Sequence, residues 1–191
     1  MMMKKNNKKV LIYGASDFGK ILRNLIRYCD YEFLGFISDL HKGEEIIGDF
    51  DKVESQINKN KIEIIIGVGY SDLQNRWSLY QRVKESGFRI ASVIHPNAYI
   101  CNSAKLDEGV IVMAGTNIDF NAKIGSISVL WPGTVISHDS KIGSNCFFSP
   151  NSTLCGFSTV GNNCFIGANA VIVDHTEVKE NSFIKANSLV K

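Results

Sequence analysis

The second half of the chain repeats an apolar residue every six positions without interruption. This column begins at Ile94, passes through Ile136 and ends at Val190. A second column, four residues after the first, holds only small or β-branched side chains, from Ala98 to Ser188. A helix repeats about every 3.6 residues and a strand about every two, so neither sustains this spacing. The period predicts a parallel β-helix, in which successive coils stack on one another.

The same period predicts the shape of each coil. Three hexads, about 18 residues, make one turn of a three-sided prism, and each hexad supplies one short strand and one corner. The aliphatic column points inward, where burial contributes about 25 cal/mol per Å² of apolar surface. The second column is small because it lies where the chain bends and the interior narrows. Since no hexad between Ile94 and Val190 is interrupted, we expect no long loop to project from the prism.

The first half of the chain shows the pattern of alternating strands and helices. Residues 8–13 form an apolar run after a basic entry, the turn 14–19 contains two glycines, and apolar residues at helical spacing follow. A strand, a glycine turn and a helix open a doubly wound α/β unit, in which helix amides can hold a phosphate. The glycine fingerprint is incomplete because Ser16 replaces its middle glycine.

The α/β pattern continues with strands predicted at residues 32–37, 62–68 and 89–94 and a helix at 71–86. The carboxyl ends of parallel strands meet at one edge of a sheet, so we expect Ser38, Asp39 and Gly69 to share a crevice with residues 14–18. An acidic residue at the position of Asp39 either binds a ribose or base, or caps the next segment. The sequence leaves both roles open. We place the domain boundary so that residues 1–93 form the α/β domain and residues 94–191 the β-helix.

Charge and composition exclude some classes of function. The net charge is +2, and basic residues cluster only at Lys4, Lys5, Lys8 and Lys9, which we interpret as a solvated tail rather than a nucleic-acid site. No apolar run is long enough to span a membrane, and residues 10–13 are too short for a signal-peptide core, so we expect a cytoplasmic protein. The five cysteines are odd in number and contain no C-x-x-C pair, which favours reduced packing residues.

The pairing of the two domains carries a family resemblance. The α/β domain is followed by His95-Pro96 and then by unbroken hexads that contain Ile136-Ser137-His138-Asp139. This combination resembles the nucleotide-sugar acyltransferases of the left-handed β-helix class, above all the bacterial PglD-type N-acetyltransferases, which acetylate the 4-amino group of a UDP-linked amino sugar. The resemblance covers nearly the whole chain. It implies a Rossmann-like N-terminal domain, a left-handed coil, acetyl-CoA as co-substrate and a homotrimer.

The resemblance also implies roles for individual residues. His138 takes the place of the general base that removes a proton from the attacking amine, and Asp139, where relatives carry Glu, orients it. The oxyanion donor is a backbone N–H that falls on Gly156, 18 residues after His138 and therefore one coil along. The acetyl-CoA contacts carry over to Gly156, Phe147, Ala168 and Ala186. The nucleotide-sugar contacts carry over to Ser16, Asp17, Phe18, Ser38, Asp39 and Gly69.

Aromatic residues mark departures from the family pattern. Phe147 and Phe18 stand where relatives often have histidine, and Trp131 stands where asparagine is usual. Phe147, Phe165 and Phe183 are 18 residues apart, and we expect them to be exposed on one flank where subunits of a trimer pack. The same three rings could instead cover one another on a monomer.

Other functions remain open at this stage. A sialic-acid-type O-acetyltransferase uses the same base on a hydroxyl group, and a non-catalytic trimeric scaffold needs only the β-helix. A zinc enzyme of carbonic-anhydrase type is disfavoured because His95, His138 and His175 are not separated by multiples of 18, so we predict no metal site. We expect His175 and His41 to be surface residues. A nicotinamide-dependent oxidoreductase is disfavoured by the incomplete glycine turn and the short sheet. The nucleotide (UDP, dTDP or GDP), the sugar and the acyl donor are not determined.

Overall fold

The computed structural model of the chain describes residues 8–191. The chain divides after Val93 into two compact units. Lys4 and Lys5 lie outside the described residues, whereas Lys8 and Lys9 belong to the first strand rather than to a tail. The helices and strands of the first unit are β1 (Lys8–Tyr13), α1 (Asp17–Leu25), β2 (Tyr31–Ile37), β3 (Ile46–Gly48), α2 (Phe50–Gln56), β4 (Ile62–Ile66), α3 (Leu73–Glu85) and β5 (Arg89–Ile90), with short 3₁₀ turns at Ile26–Tyr28 and Tyr70–Asp72.

The first unit is a parallel sheet with strand order β3-β2-β1-β4-β5. Strand β1 lies at its centre and pairs with β2 on one side and β4 on the other, and its residues Val10, Leu11 and Ile12 are fully buried. The strands predicted at 8–13, 32–37 and 62–68 are confirmed, and β4 ends two residues earlier than predicted. Strand β3 and helix α2 were not predicted, since a three-residue edge strand leaves almost no periodic signal.

The strand predicted at 89–94 is wrong as a single element. Strand β5 ends at Ile90 and pairs with β4, whereas Val93–Ile94 forms β6 and belongs to a sheet of the β-helix. Ala91 and Ser92 separate the two strands. The segment reads as one strand in the sequence, but its two ends pair with strands of different sheets.

The glycine turn between β1 and α1 brings helix and strand unusually close. A side chain on Gly19 would collide with the carbonyl oxygen of Gly14. Any larger residue would force α1 away from β1, so a glycine is required here even though Ser16 replaces the middle glycine of the fingerprint. The incomplete motif therefore retains its packing function.

The second unit is a parallel β-helix with three faces, and each strand pairs in register with the strand one coil later. The first face contains β6 (Val93–Ile94), β9 (Ile111–Val112), β12 (Val129–Leu130), β15 (Phe147–Phe148), β18 (Phe165–Ile166) and β21 (Phe183–Ile184). The second face contains β7 (Tyr99–Ile100), β10 (Asn117–Ile118), β13 (Val135–Ile136), β16 (Thr153–Leu154), β19 (Val171–Ile172) and β22 (Leu189–Val190). The third face contains β8 (Lys105–Leu106), β11 (Lys123–Ile124), β14 (Lys141–Ile142), β17 (Thr159–Val160) and β20 (Glu177–Val178).

The interior of the prism follows the two predicted columns. Leu130, Ile136 and Leu154 of the aliphatic column are fully buried, and so are Ser128 and Ser140 of the small-residue column. Turns of a few residues connect all strands from residue 94 to residue 191, so the expected absence of a projecting loop is confirmed. The predicted architecture, an α/β domain followed by a left-handed parallel β-helix, is also confirmed.

The corners of the prism place one residue per turn in the left-handed backbone region. Asparagine or glycine occupies most of these positions, and the asparagine side chains bond to one another between coils. Asn145 Nδ2 donates to Asn163 Oδ1 at 2.9 Å, and Asn163 Nδ2 donates to Asn181 Oδ1 at 3.2 Å. We call this corner the Asn163 edge, which comprises the turns at 126–127, 144–145, 162–163 and 180–181. Asparagine suits the position because it tolerates positive φ and its short amide finds a partner one coil away.

Candidate active site

His138 lies on the corner between the second and third faces. We call this corner the His138 edge, which comprises the turns at 120–121, 138–139, 156–157 and 174–175. Its imidazole is half-exposed, and Nδ1 lies 3.1 Å from Asp139 Oδ2. The other oxygen of Asp139 accepts a hydrogen bond from Asn121 Nδ2 at 3.2 Å. The bond from Asn121, followed by that from His138, lowers the pKa of the Asp139 carboxyl group. Asp139 is therefore a charged acceptor that fixes one nitrogen of the imidazole.

Gly156 lies directly beneath the imidazole of His138. A Cβ atom on Gly156 would lie 2.8 Å from Cε1 and 3.0 Å from Nε2 of that ring. Only glycine leaves this space for the imidazole. The backbone N–H of Gly156 has no hydrogen-bond acceptor among the described residues 8–191. The repeat arithmetic that placed His138 and Gly156 together agrees with this geometry.

Two aromatic rings continue the His138 edge beyond the imidazole. The ring of Phe157 meets His138 edge-on, with centroids 5.2 Å apart and planes at 84°. His175 stacks on Phe157 with centroids 5.0 Å apart and planes at 7°. His175 is two coils and one residue beyond His138, so the 18-residue spacing does not place the two histidines in one column. His175 is exposed, as expected, but it belongs to the edge that carries His138.

The positions expected to contact acetyl-CoA lie at three places on the prism. Ala168 and Ala186 stack on the corner between the first and second faces, where Asn187 N–H donates to Ala168 O at 2.8 Å. We call this corner the Ala168 edge, which comprises the turns at 132–133, 150–151, 168–169 and 186–187. Gly156 lies on the His138 edge instead. Both edges border the second face.

Phe147 differs from expectation. It was predicted to be exposed on a flank with Phe165 and Phe183, but its side chain is only 2% exposed. The ring lies 5.9 Å from the Trp131 ring and stacks at 6.1 Å on Phe165, which in turn stacks on Phe183. The three phenylalanines thus cover one another, and only Phe183 is largely exposed. A buried Phe147 side chain does not offer a contact surface to CoA in this chain.

The first unit contains a crevice of about 310 Å³ at the carboxyl ends of β1, β2 and β4. The predicted residues that line it are Gly14, Ser16, Ser38, Asp39 and Gly69. The structure adds residues that were not predicted as contacts, among them Tyr13, His41, Asn75 and Leu79. Asn75 and Leu79 come from α3, which has no strand end to mark it in the sequence. The convergence expected for an open α/β sheet is therefore present.

Asp17 and Phe18 do not line this crevice. The Asp17 side chain is almost fully exposed and pairs with Lys20 in the first turn of α1. Phe18 is buried and packs behind Gly69. Since neither side chain lines the crevice, their expected contact with a nucleotide sugar is not supported by the geometry.

Asp39 is held by protein donors on both oxygens. Oδ1 accepts from the backbone N–H of Phe50 at 2.9 Å, at the start of α2. Oδ2 accepts a short hydrogen bond from Tyr13 OH and another from Arg82 Nη1 at 3.2 Å. Burial, with the hydrogen bond to the Asp39 carboxylate, raises the pKa of the Tyr13 phenol. Of the two roles left open for Asp39, the structure shows the capping role, while the side chain still lines the crevice.

Ser38 keeps a hydrogen-bond donor for a ligand. Its Oγ accepts from the backbone N–H groups of His41 at 2.9 Å and Leu40 at 3.3 Å. The hydroxyl proton has no acceptor among the described residues 8–191. Ser38 is thus fixed by its own turn and can donate into the crevice.

Within residues 8–191, no cluster of three or more His, Cys, Asp or Glu side chains could hold a metal ion. Across the same residues, no helix is both long and apolar enough to cross a membrane. All five cysteines are free thiols, and Cys146 and Cys164 are buried in the small-residue column.

Comparison with known families covers both units. The family described as "PglD N-terminal domain" matches residues 9–83. The family described as "Bacterial transferase hexapeptide (six repeats)" matches residues 121–156 and 157–191. The chain thus combines a PglD-type N-terminal domain with the hexapeptide repeats of bacterial transferases. It is therefore an enzyme of the acyltransferase class.

Solved structures of similar proteins share this two-part architecture. PerB from Caulobacter crescentus, in complex with CoA and GDP-perosamine, is 26% identical with a TM-score of 0.87, and the match covers 96% of this chain and 88% of that one. The acetyltransferase domain of PglB from Neisseria gonorrhoeae is 22% identical with a TM-score of 0.89, over 97% and 92% of the two chains. WeeI from Acinetobacter baumannii is 20% identical with a TM-score of 0.72, over 95% and 96%. The last two likenesses support the fold alone.

The two units of the chain offer two different kinds of site. The His138 edge offers a half-exposed imidazole with one nitrogen fixed by a carboxylate. The crevice of the first unit offers backbone, a serine hydroxyl and a helix start, which suit a phosphorylated ligand.

Proposed function

We propose that the enzyme transfers an acetyl group from acetyl-CoA to the amino group of a nucleotide-linked 4-amino-4,6-dideoxy sugar, with His138 as the general base. The contact of His138 with Asp139 and Gly156 carries this proposal. Asp139 holds Nδ1, and Nε2 has no hydrogen-bonding partner among residues 8–191. The likeness to PerB, whose structure contains CoA and GDP-perosamine, supports the same class of substrates.

The proposed reaction assigns one task to each group of the His138 edge. The sugar amine forms a bond to the thioester carbonyl carbon, and Nε2 of His138 accepts the proton that the nitrogen loses. Asp139 keeps Nδ1 protonated and stabilises the imidazolium. The N–H of Gly156 donates to the carbonyl oxygen as negative charge develops there. The C–S bond then breaks, and the imidazolium returns the proton to the leaving thiolate.

The crevice of the first unit is the proposed site for the nucleotide. Ser16 caps α1 without a side-chain bond to the helix amides, so these remain directed at the crevice for a phosphate. Ser38 donates its hydroxyl proton to the ligand, and Gly69 lets the ligand approach the backbone. Asp39 holds the side of the crevice in place through its hydrogen bonds to Tyr13 and to the start of α2. Ser38→Ala should raise KM for the nucleotide sugar about tenfold and leave KM for acetyl-CoA unchanged.

Acetyl-CoA is proposed to touch both edges that border the second face, through Gly156 on one and Ala168 and Ala186 on the other. A homotrimer in which second faces meet would bring the His138 edge of one subunit beside the Ala168 edge of its neighbour. The outward residues Tyr99, Val135 and Leu189 of this face are exposed and apolar, which suits such an interface.

A cytoplasmic location stays a prediction.

Acetyl transfer can be tested directly. The purified protein is incubated with acetyl-CoA and, in turn, UDP-, dTDP- and GDP-linked 4-amino sugars, and released thiol is followed with a chromogenic disulfide. His138→Ala should lower kcat by about 10²- to 10⁴-fold, as expected on removing a general base. His95→Ala is the matched control, because His95 bonds to its own turn and should leave kcat unchanged.

The product distinguishes the remaining alternatives. An amide product resists mild alkali, whereas an ester is hydrolysed and would identify an O-acetyltransferase. Full activity in His138→Ala would refute the assignment of the base. No thiol release with any of the sugars would refute the proposed acceptor class and favour a scaffold.

A further inference from the structure

The His138 edge breaks the residue preference that the other corners follow. From residue 94 to residue 191, the left-handed corner positions hold asparagine or glycine except for Ile127, Asp139, Phe157 and His175. Three of these four exceptions lie on the His138 edge. Asp139 already has a role, because it holds Nδ1 of His138. Phe157 is the next residue in this column, and its aromatic side chain departs from the asparagine or glycine of the other corners.

Phe157 is unfavourable at its position on two counts. Its φ is 57°, a region that bulky side chains avoid, and its side chain is 53% exposed. It does not fill the core, which the aliphatic and small-residue columns already complete. Backbone strain without a packing reason concentrates at functional sites, because the surrounding structure must hold the residue there.

The contacts of Phe157 indicate what that function is. The ring contacts two imidazoles: it meets His138 at 84° with centroids 5.2 Å apart, and it stacks on His175 with centroids 5.0 Å apart. The His138 ring therefore has three close neighbours, which are Asp139 at Nδ1, the backbone of Gly156 and the ring of Phe157. An asparagine at 157 would remove the aromatic ring from this set.

We propose that Phe157 is a positioning residue for His138, and that His175 supports Phe157 from behind. The ring of Phe157 holds the imidazole in the rotamer from which Nε2 reaches the substrate amine, and the strain at residue 157 is retained for that purpose. This inference rests on the proposed function, since it assigns to Phe157 a role in the proton transfer by His138.

The test compares three substitutions at Phe157. Phe157→Asn introduces the residue that other corners use, so the melting temperature should stay equal or rise while kcat falls about tenfold to a hundredfold. KM for both substrates should change less than about twofold, because the role is indirect. Phe157→Tyr keeps the ring and should retain wild-type kcat. Phe157→Leu keeps the backbone strain but loses the aromatic ring, so its kcat should fall as much as that of Phe157→Asn. Phe183→Asn is the matched control, because Phe183 is an exposed, stacked ring elsewhere on the β-helix.

A second readout does not need activity. In protein labelled with ¹⁵N at its histidines, Phe157→Asn should shift and broaden the ring signals of His138 and leave those of His41 and His95 unchanged. A wild-type kcat in Phe157→Asn, or an effect on KM alone, would overturn the positioning role. If the wild-type protein acetylates none of the sugars while the His138 signals still depend on Phe157, the proposed function fails and the positioning inference stands. Unchanged His138 signals would overturn the inference in either case.

Discussion

At the scale of single residues, two neighbours fix the place of the His138 imidazole. Asp139 holds its Nδ1, and Gly156 leaves room for the ring because it has no side chain. The imidazole occupies the space that a Cβ atom on Gly156 would take. The glycine is therefore required by a close approach, and its φ is not in the left-handed region.

The first prediction concerns this close approach. Gly156→Ala places a methyl group 2.8 Å from Cε1 of His138, so the imidazole must leave its site. We expect kcat to fall about a hundredfold, as for a displacement of about 1 Å at a catalytic group. Gly43→Ala is the control, because its methyl group would meet only Ile46 atoms at 3.7 Å and beyond. Steady-state kinetics measures both variants, and normal kcat in Gly156→Ala would contradict the contact.

A second prediction concerns the charge on Asp139. Asn121→Ala removes the largest cause of the lowered pKa of Asp139, so that pKa should rise toward its ordinary value. A depressed folded-state pKa stabilises the fold above the unfolded-state pKa, and this contribution is lost as pH falls through the folded-state pKa. The variant should therefore lose its Asp139 interaction at a higher pH than the wild type. A ¹³C titration of the Asp139 carboxyl group measures this, and an unchanged midpoint would contradict the role of Asn121.

At the scale of the elements, the corners rather than the two-residue strands give the coil its side-chain hydrogen bonds. On the Asn163 edge, amides of successive coils form a ladder in which Asn145 donates to Asn163, and Asn163 in turn donates to Asn181. Asn145 is fully buried, and its Nδ2 finds an acceptor in Asn163 Oδ1. The ladder thus joins coils at a position where the backbone already requires positive φ.

The third prediction separates these two contributions at Asn163. Asn163→Gly loses two side-chain hydrogen bonds without a backbone penalty and should lower the free energy of unfolding by about 2 kcal/mol. Asn163→Ala also places a Cβ atom in the left-handed region and should cost about 1–2 kcal/mol more. Asn187, on the last coil, accepts only one ladder bond, so Asn187→Gly should cost about half as much as Asn163→Gly. Urea denaturation measures all three, and equal values for Asn163→Gly and Asn163→Ala would contradict the backbone term.

At the scale of the whole molecule, the exposed apolar residues Tyr99, Val135 and Leu189 are the reason for placing the proposed trimer interface on the second face. The first face is less available than the sequence suggested, because Phe147 is buried against Trp131 and Phe165. Lysines at 105, 123 and 141 project from the third face and oppose close packing of subunits there. The second face carries Val135 at its centre and no charged residue among its outward positions.

The fourth prediction follows from this choice of face. Val135→Asp places a carboxylate in the proposed trimer interface and should convert the protein to a monomer, because a charge at the centre of an apolar interface is unfavourable. Thr159→Asp is the matched control, since Thr159 has the same place on a strand of the third face. Light scattering should give three times 21.2 kDa for the wild type and the control, and 21.2 kDa for Val135→Asp. A monomeric wild type would refute the trimer.

The sequence alone determined the coil and the column that contains His138. Each inward position must hold an apolar or small side chain, and this requirement is visible in the sequence at every position. A six-residue period in apolar residues was therefore enough to predict the prism, its inward columns and the stacking of Gly156 on His138. The glycine turn and the ends of three strands predicted the crevice for a similar reason, since β-strand ends and turns are local features.

Only the tertiary structure decided which neighbours these residues have. Phe157 and His175 are offset by one residue from the column of His138, so a search at multiples of 18 could not find them, although their side chains meet across coils. Phe147 is buried because other rings cover it. Asp17 and Phe18, in the first turn of α1, do not line the crevice of the first unit. Side-chain contact depends on rotamers and on neighbours distant in sequence, and neither is contained in a periodic pattern.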